Sequence, residues 1–204
     1  MSTKAFTEAF ERVKHLAETF QAQEQAYHAS EYKEAEVRKD FIDKFFIALG
    51  WDVNHEQQTN PYEQEVKVEK AYGGVQRRAD YAFYLAPDYR DVRFYVEAKK
   101  PSADIAADAY CFQAAQYGYS SKNPLSVLTD FEQFLIIDCR YKPRLEGAHQ
   151  RIHYKYYCRH YMDREKFSEI YWLFSREALA QGSIEKYAAG MPKPRGKAAQ
   201  PDRG

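Results

Sequence analysis

The apolar residues of the chain recur at two different periods. Phe6, Phe10, Val13, Ala17 and Phe20 stand three and four apart, so they form one stripe of an amphipathic helix. A second helix is predicted from about Tyr32 to Leu49, with Val37, Phe41, Phe45 and Leu49 spaced by four and Gly50 as the stop. Glu34 shares that face with Phe41 and Phe45, because seven and eleven residues are close to two and three full turns. A carboxylate on a core-facing stripe needs a reason.

The period then shortens to two. Residues 64–70 alternate around Val66 and Val68, and Tyr72, Gly73 and Gly74 supply a turn. In residues 79–85, Ala79, Tyr81, Phe83 and Leu85 share one face and Asp80, Ala82 and Tyr84 the other, with Pro87 and Asp88 closing the strand. A third strand over residues 92–99 ends before Pro101, and short turns make the three an antiparallel meander. Residues 102–117 are helical in pattern, with Ser102 or Asp104 as the cap and Gly118 at the end. The buried run 125–129 comes next as a strand, and a crossover helix between two strands implies parallel pairing, so the sheet is mixed. Residues 134–138 then form a hairpin strand at the sheet edge. After Asp163 the chain is helical again, with Phe167, Ile170, Tyr171 and Phe174 on one face and a second short helix after Ser175. The predicted class is α/β: a mixed sheet of about five strands flanked by helices, with a short C-terminal helical extension. The domain limits are 1–162 for the main unit, 163–190 for the extension and 191–204 for a Pro-, Gly- and Lys-rich tail expected to be disordered or a linker.

With 45% hydrophobic and 16% aromatic residues, the chain is neither disordered nor fibrous in composition. No stretch approaches the roughly 20 apolar residues of a membrane span, and the start MSTKAFTEAFERVKHL lacks the apolar core of a signal peptide. A cytoplasmic location without membrane contact is expected. Cys111, Cys139 and Cys158 are odd in number and widely spaced, which argues against disulfides and a zinc site, so they are expected as packed thiols. His149, His153, Cys158 and His160 fit no common zinc-ligand spacing. Net charge is zero, but residues 1–69 carry 8 basic and 14 acidic side chains and residues 147–204 carry 11 and 6. Any nucleic acid is therefore expected to approach the middle and C-terminal parts.

The segment RRADYAF, succeeded after a short interval by YVEAKKP, carries the chemistry. Glu97 and Lys99 are two apart on a strand and leave the same face, and a hairpin lays Asp80 beside them. An Asp and a Glu converging from adjacent strands make a hard oxygen site suited to magnesium, with manganese as a substitute. An ammonium beside the metal orients or helps deprotonate water and offsets charge growing on a phosphate. Each residue taken alone is ordinary, since an Asp at a strand edge and a solvent-facing Lys are common. The joint pattern is what points to a site.

The ordered segments EAEVRKDFIDKFFIALGWDV, RRADYAFY, FYVEAKKP, FQAAQYGYS and VLTDFEQFLIIDCR resemble the N-terminal nuclease domain of type IIG restriction-modification enzymes, of the PD-(D/E)XK class, over about residues 30–185. Type I restriction subunits are more distantly similar. The resemblance implies a restriction-endonuclease-like fold and Mg2+-dependent hydrolysis of DNA phosphodiester bonds. It gives Asp80, Glu97 and Lys99 catalytic roles, adds Glu34 and Gln113 to the catalytic set, and makes Asp80, Glu97 and Glu34 the metal ligands. Arg38, Arg78, Lys100 and Tyr117 are candidate DNA contacts, with Tyr117 completing a Q-x-x-x-Y signature begun at Gln113. Ala79 stands where the class has the proline that names it. The resemblance also implies a longer enzyme with a connector, a methyltransferase and a target-recognition domain, in the same chain or a partner chain, and a transient dimer for double-strand cleavage. No S-adenosylmethionine motif is present in these residues. Alternatives stay open: Glu34 could pair with Arg38 one turn on, and Gln113 and Tyr117 could be packing residues. The chain could also be a type I subunit fragment, or a DNA-binding or assembly module that keeps the fold without turnover.

Overall fold

A computed structural model of the chain describes residues 3–68 and 79–193. The turn expected at residues 72–74, Arg78 and the tail from residue 194 onward lie outside the described residues. The helices are α1 (Thr3–Ala22), α2 (Glu24–Tyr27), α3 (Glu34–Val37), α4 (Asp43–Ala48), α5 (Asp108–Ser120), α6 (Arg164–Phe174), α7 (Arg176–Leu179) and α8 (Ser183–Gly190). The strands are β1 (Val66–Val68), β2 (Tyr81–Phe83), β3 (Phe94–Ala98), β4 (Leu125–Thr129), β5 (Gln133–Asp138) and β6 (Ile152–Tyr157). They form one sheet in the order β1-β2-β3-β4-β5-β6, in which only the β3–β4 pair is parallel. The α/β class and the mixed sheet flanked by helices are as the periodicities imply.

The sheet has one strand more than the five expected. Residues 152–157, IHYKYY, pair antiparallel with β5, so β5 is interior and β6 is the edge. The segment reads poorly as a strand because only Tyr156 is buried on it. An edge strand half in water loses the alternation that marks its neighbours.

Two faces divide the work. Tyr81, Phe83, Phe94, Val96, Val127, Phe134 and Ile136 face the larger core, where α1, α4 and α6 bring Phe6, Phe10, Phe45, Phe46, Phe167 and Phe174. Aromatic rings fill it: Phe83 and Phe94 stack at 4.3 Å, and Trp51 meets Phe83 at 4.9 Å while its indole N–H donates to the Phe174 carbonyl. The stripe of α6 is thus covered within the chain. On the opposite face, Leu128, Leu135 and Ile137 pack beneath Cys111, Ala114 and Ala115 of α5. All three cysteines are free thiols and buried.

Local signals account for several helix ends. Gly50 adopts φ +91 after α4, and its N–H and that of Trp51 close onto the carbonyls of Ile47 and Phe46, the paired bonds of a glycine C-terminal stop. Asp163 accepts from the N–H groups of Glu165 and Lys166 and starts α6. Two expectations need correction. The stretch between Glu34 and Ala48 is not one regular α-helix, because a π segment (Arg38–Ile42) joins α3 to α4. And α5 begins at Asp108 and not at Ser102, since successive turns at Ala103 and Ala107 occupy the residues after Pro101.

Gly118 also differs from its expected role as a helix stop. It lies inside α5, buried over the end of β5, where a Cβ would come within 2.6 Å of the Cys139 Cβ. The glycine is required by close approach of helix and strand. Among the described residues no helix is long and apolar enough to cross a membrane. Gly118→Ala is expected to destabilise the fold by about 1–3 kcal/mol through overpacking, outweighing the better helix propensity of alanine. Urea unfolding would show a lower midpoint at unchanged slope, and an unchanged or higher midpoint would contradict the packing argument.

Candidate active site

The β2–β3 hairpin and the parallel β3–β4 pair set the positions of three residues. Tyr81 pairs with Val96, so Asp80, one residue before β2, stands beside Glu97 on the α5 side of the sheet. Lys99 comes directly after β3, and its backbone N–H still donates to the Thr129 carbonyl at 2.9 Å, which carries the strand direction one residue past its end. Alternation then gives Asp80, Glu97 and Lys99 one face.

Glu97 is the centre of the cluster and is 4% exposed. Its Oε1 accepts from Lys99 Nζ at 2.7 Å and from Gln113 Nε2 of α5 at 2.6 Å. Its Oε2 is buried without a hydrogen-bond partner. Burial, together with the nearby Asp80 charge and against the attraction of Lys99, pushes the Glu97 carboxyl up to about 7. Lys99 Nζ also donates to the Ala98 carbonyl, lies 3.6 Å from Glu34 Oε2 and sits over the Tyr110 ring. Burial works against its charge, but Glu97, Glu34 and Asp80 outweigh that and raise its pKa. The ammonium form is therefore the resting form.

Asp80 is held from two sides. Arg38 Nη1 donates to its Oδ1 at 2.8 Å and the Ala98 N–H donates to its Oδ2 at 2.8 Å. Arg38 Nε reaches the Tyr81 hydroxyl at 3.3 Å, and that hydroxyl donates to Asp43 at 2.6 Å. The π segment sets up this arrangement: with an i to i+5 repeat, Arg38 and Asp43 come onto one face, toward Tyr81. Glu34 pairs with Lys99 and not with Arg38, whose guanidinium takes Asp80. Burial, then the charge of Asp80, raises the Glu34 carboxyl despite Lys99.

Asp80, Glu97, Lys99, Glu34, Gln113 and Arg38 thus meet in one network drawn from α3, the π segment, β2, β3 and α5. Tyr117 joins through Gln113 at 3.2 Å, and its ring lies 5.7 Å from Tyr95. Lys100 stands at the start of the next loop, within electrostatic reach of Glu31. Arg78 lies outside the described residues. Sequence reasoning missed Asp43, Tyr81 and Tyr110, which hold Arg38 and Lys99 in place; the signal for Asp43 is an i, i+5 spacing from Arg38 that a regular helix does not use.

A divalent cation would suit this chemistry. Three carboxylates raise one another's energy, an orphaned oxygen of Glu97 lies in the cluster, and all the ligand atoms are hard oxygens. As they stand, the oxygens of Asp80, Glu97 and Glu34 do not all fall within 4.8 Å of one another, and the Lys99 ammonium bridges Glu97 and Glu34. Mg2+ does not need all three, because it binds through one or two carboxylates and completes its shell with water and phosphate.

The chain is similar to part of a restriction-modification enzyme. It is 32% identical over 181 residues, 86% of its length, to the type II restriction enzyme and methyltransferase RM.Eco57I of Escherichia coli. It spans only 18% of that protein's length. No protein-family model matches the chain, and no solved structure does. The region is accordingly restriction-enzyme-related.

The raised Glu97 pKa has a consequence for stability. Its ordinary value is 4.5 and its value in the fold about 7, so between these the folded protein keeps a proton that the unfolded chain releases. The associated stability is complete below about pH 4.5 and is lost as pH rises through about 7. Without divalent cations, the parent is expected to lose on the order of 2 kcal/mol more than Glu97→Gln between pH 5 and pH 8. Denaturant titrations of both proteins at the two pH values measure this, and parallel pH profiles would place the burial cost elsewhere.

Proposed function

We propose that this chain is the Mg2+-dependent endonuclease region of a restriction-modification system, hydrolysing phosphodiester bonds of double-stranded DNA. The observation that carries this reading is the convergence of Asp80, Glu97 and Lys99 on one sheet face, with Gln113 on Glu97 and Glu34 on Lys99. The similarity to a restriction enzyme and methyltransferase supports the system to which the reaction belongs. On this reading the chain works beside methyltransferase and target-recognition domains, in one longer polypeptide or in a partner, and two copies pair transiently to cut both strands.

Asp80 and Glu97 would hold the cation, with Glu34 at the margin of its shell, and Mn2+ would substitute for Mg2+. The cation, when bound, supplies Lewis-acid polarisation of the phosphate and lowers the pKa of water. Lys99 keeps its proton and donates hydrogen bonds to the attacking water or to a non-bridging phosphate oxygen. Gln113 fixes the rotamer of Glu97 by occupying one of its oxygens. Arg38 keeps Asp80 oriented, and its guanidinium is the cation of this network with the geometry to meet a phosphate bidentately.

Lys99→Ala separates this enzyme reading from a module that binds DNA without turnover. Lys99 offers no ligand oxygen, so Mn2+ affinity measured by calorimetry should be retained, whereas Asp80→Ala and Glu97→Ala should each weaken it. Single-turnover cleavage of plasmid DNA should fall by roughly 100-fold or more, the scale of one lost electrostatic donor at a reacting centre. If Lys99→Ala cuts as fast as the parent, the nuclease assignment loses its centre.

A further inference from the structure

A second group of ligand-type side chains lies away from Asp80 and Glu97. Glu24 and His28 are four apart, at the start and just beyond the end of α2, so both side chains project from one side of that turn. Glu132 comes to meet them from the tight turn between β4 and β5. One ligand atom of each residue falls within 4.8 Å of the others, and among the described residues this is the group of three or more His, Cys, Asp or Glu side chains that comes so close.

The histidine carries the independent observation. His28 Nε2 lies 3.0 Å from Glu132 Oε2, yet the atom is buried and has no hydrogen-bond partner, because the carboxylate is off the axis along which the ring nitrogen bonds. A buried ring nitrogen of this kind normally finds a partner. The ring itself is held edge-on by Phe20, at 6.4 Å, which limits how it can turn to make a better bond. One imidazole and two carboxylates match the nitrogen and oxygen ligands of Zn2+ better than the all-oxygen shell of Mg2+.

We propose that Glu24, His28 and Glu132 form a Zn2+ site with water at the fourth position, clamping α2 to the β4–β5 turn. Ligand atoms about 2.0–2.2 Å from a tetrahedral Zn2+ lie roughly 3.5 Å apart; the three ligand atoms already lie within 4.8 Å of one another, with Glu132 3.0 Å from His28 Nε2, so side-chain rotation that swings Glu132 slightly outward brings them to that spacing. The site's place gives it a structural consequence. The β4–β5 turn begins at Thr129, whose carbonyl receives the Lys99 N–H, so the clamp secures the strand end on which Lys99 depends. The site stands on its own residues and does not require the nuclease reading.

Zn2+ titration by calorimetry, with thermal unfolding in parallel, tests the proposal in three variants. Asp80→Ala combined with Glu97→Ala should retain one Zn2+ equivalent and the thermal stabilisation that ligand binding to the folded state confers. His28→Ala and Glu24→Gln, both at partly or fully exposed positions, should remain folded and lose Zn2+ affinity by at least about tenfold, since even outer-shell partners are commonly worth that much. Co2+ bound in place of Zn2+ should give the visible absorption of a tetrahedral site, lost in His28→Ala. Zn2+ affinity unchanged in His28→Ala and Glu24→Gln, or abolished by the Asp80 and Glu97 substitutions alone, overturns the assignment.

Discussion

Glu97 is a carboxylate enclosed by a sheet and a helix, and the surroundings of the site derive from that one burial. A buried charge is costly unless it is paired and hydrogen-bonded. The fold offsets the cost from two directions: Lys99, two residues along the same strand, brings an ammonium, and Gln113, one crossover later, brings an amide N–H. Both act on one oxygen and leave the other buried and free. The remaining penalty shows in a carboxyl raised to about 7. Such strain is held where the surroundings over-determine the geometry, and it marks Glu97 as the position where a cation would relieve most.

The topology makes this enclosure possible. The sheet's two faces differ in character: one carries a lattice of aromatic rings against α1, α4 and α6, and the other carries the aliphatic Leu128, Leu135 and Ile137 against the small residues of α5. Stacked rings such as Phe83 on Phe94 fix the β2–β3 register, and the register fixes Asp80 beside Glu97. The parallel β3–β4 pair requires a crossover, and that crossover is the helix that delivers Gln113. At Gly118 the helix sits so close to the Cys139 side chain at the end of β5 that no added Cβ fits there. Packing far from the carboxylates therefore determines how far Gln113 can reach.

Strands that alternate cleanly were legible in the sequence, and so was the clustering of Asp80, Glu97 and Lys99 in the candidate site. Asp80, Glu97 and Lys99 derive from a period of two and a short hairpin, which chemistry at fixed spacing can specify. The edge strand β6 was not legible, because IHYKYY buries only Tyr156 and leaves its other residues half-buried or exposed, so its faces are not marked by contrasting polarity. The π segment was not legible either: one added residue in a helical repeat leaves the composition unchanged but rotates every later side chain of the helix, and Arg38 reaches Asp80 in place of Glu34. The start of α5 lies later than its residue types suggest, because backbone-closed turns, Ala103 N–H onto Lys100 and Ala107 N–H onto Asp104, take up the segment around the cap-type residues Ser102 and Asp104. Tertiary contacts that no local pattern encodes, such as Glu24 and His28 meeting Glu132, become visible only once the β4–β5 turn is folded against α2.

The charge balance gives these contacts a common logic. A chain with equal numbers of acidic and basic residues has little long-range attraction for a polyanion, so any such affinity would have to come from cations placed locally. In the network around Glu97, Lys99 and Arg38 are each already engaged with a carboxylate. Each can meet a phosphate only by sharing or exchanging that partner. A divalent cation taking up Asp80 and Glu97 would loosen both pairs at once, freeing the guanidinium and the ammonium at the moment when charge on a phosphate needs them. Cation and phosphate binding would then be coupled through the same two ion pairs, and neither would be strong alone. The ion pairs themselves keep the basic side chains occupied and ordered, and they make the acidic cluster tolerable within a folded sheet.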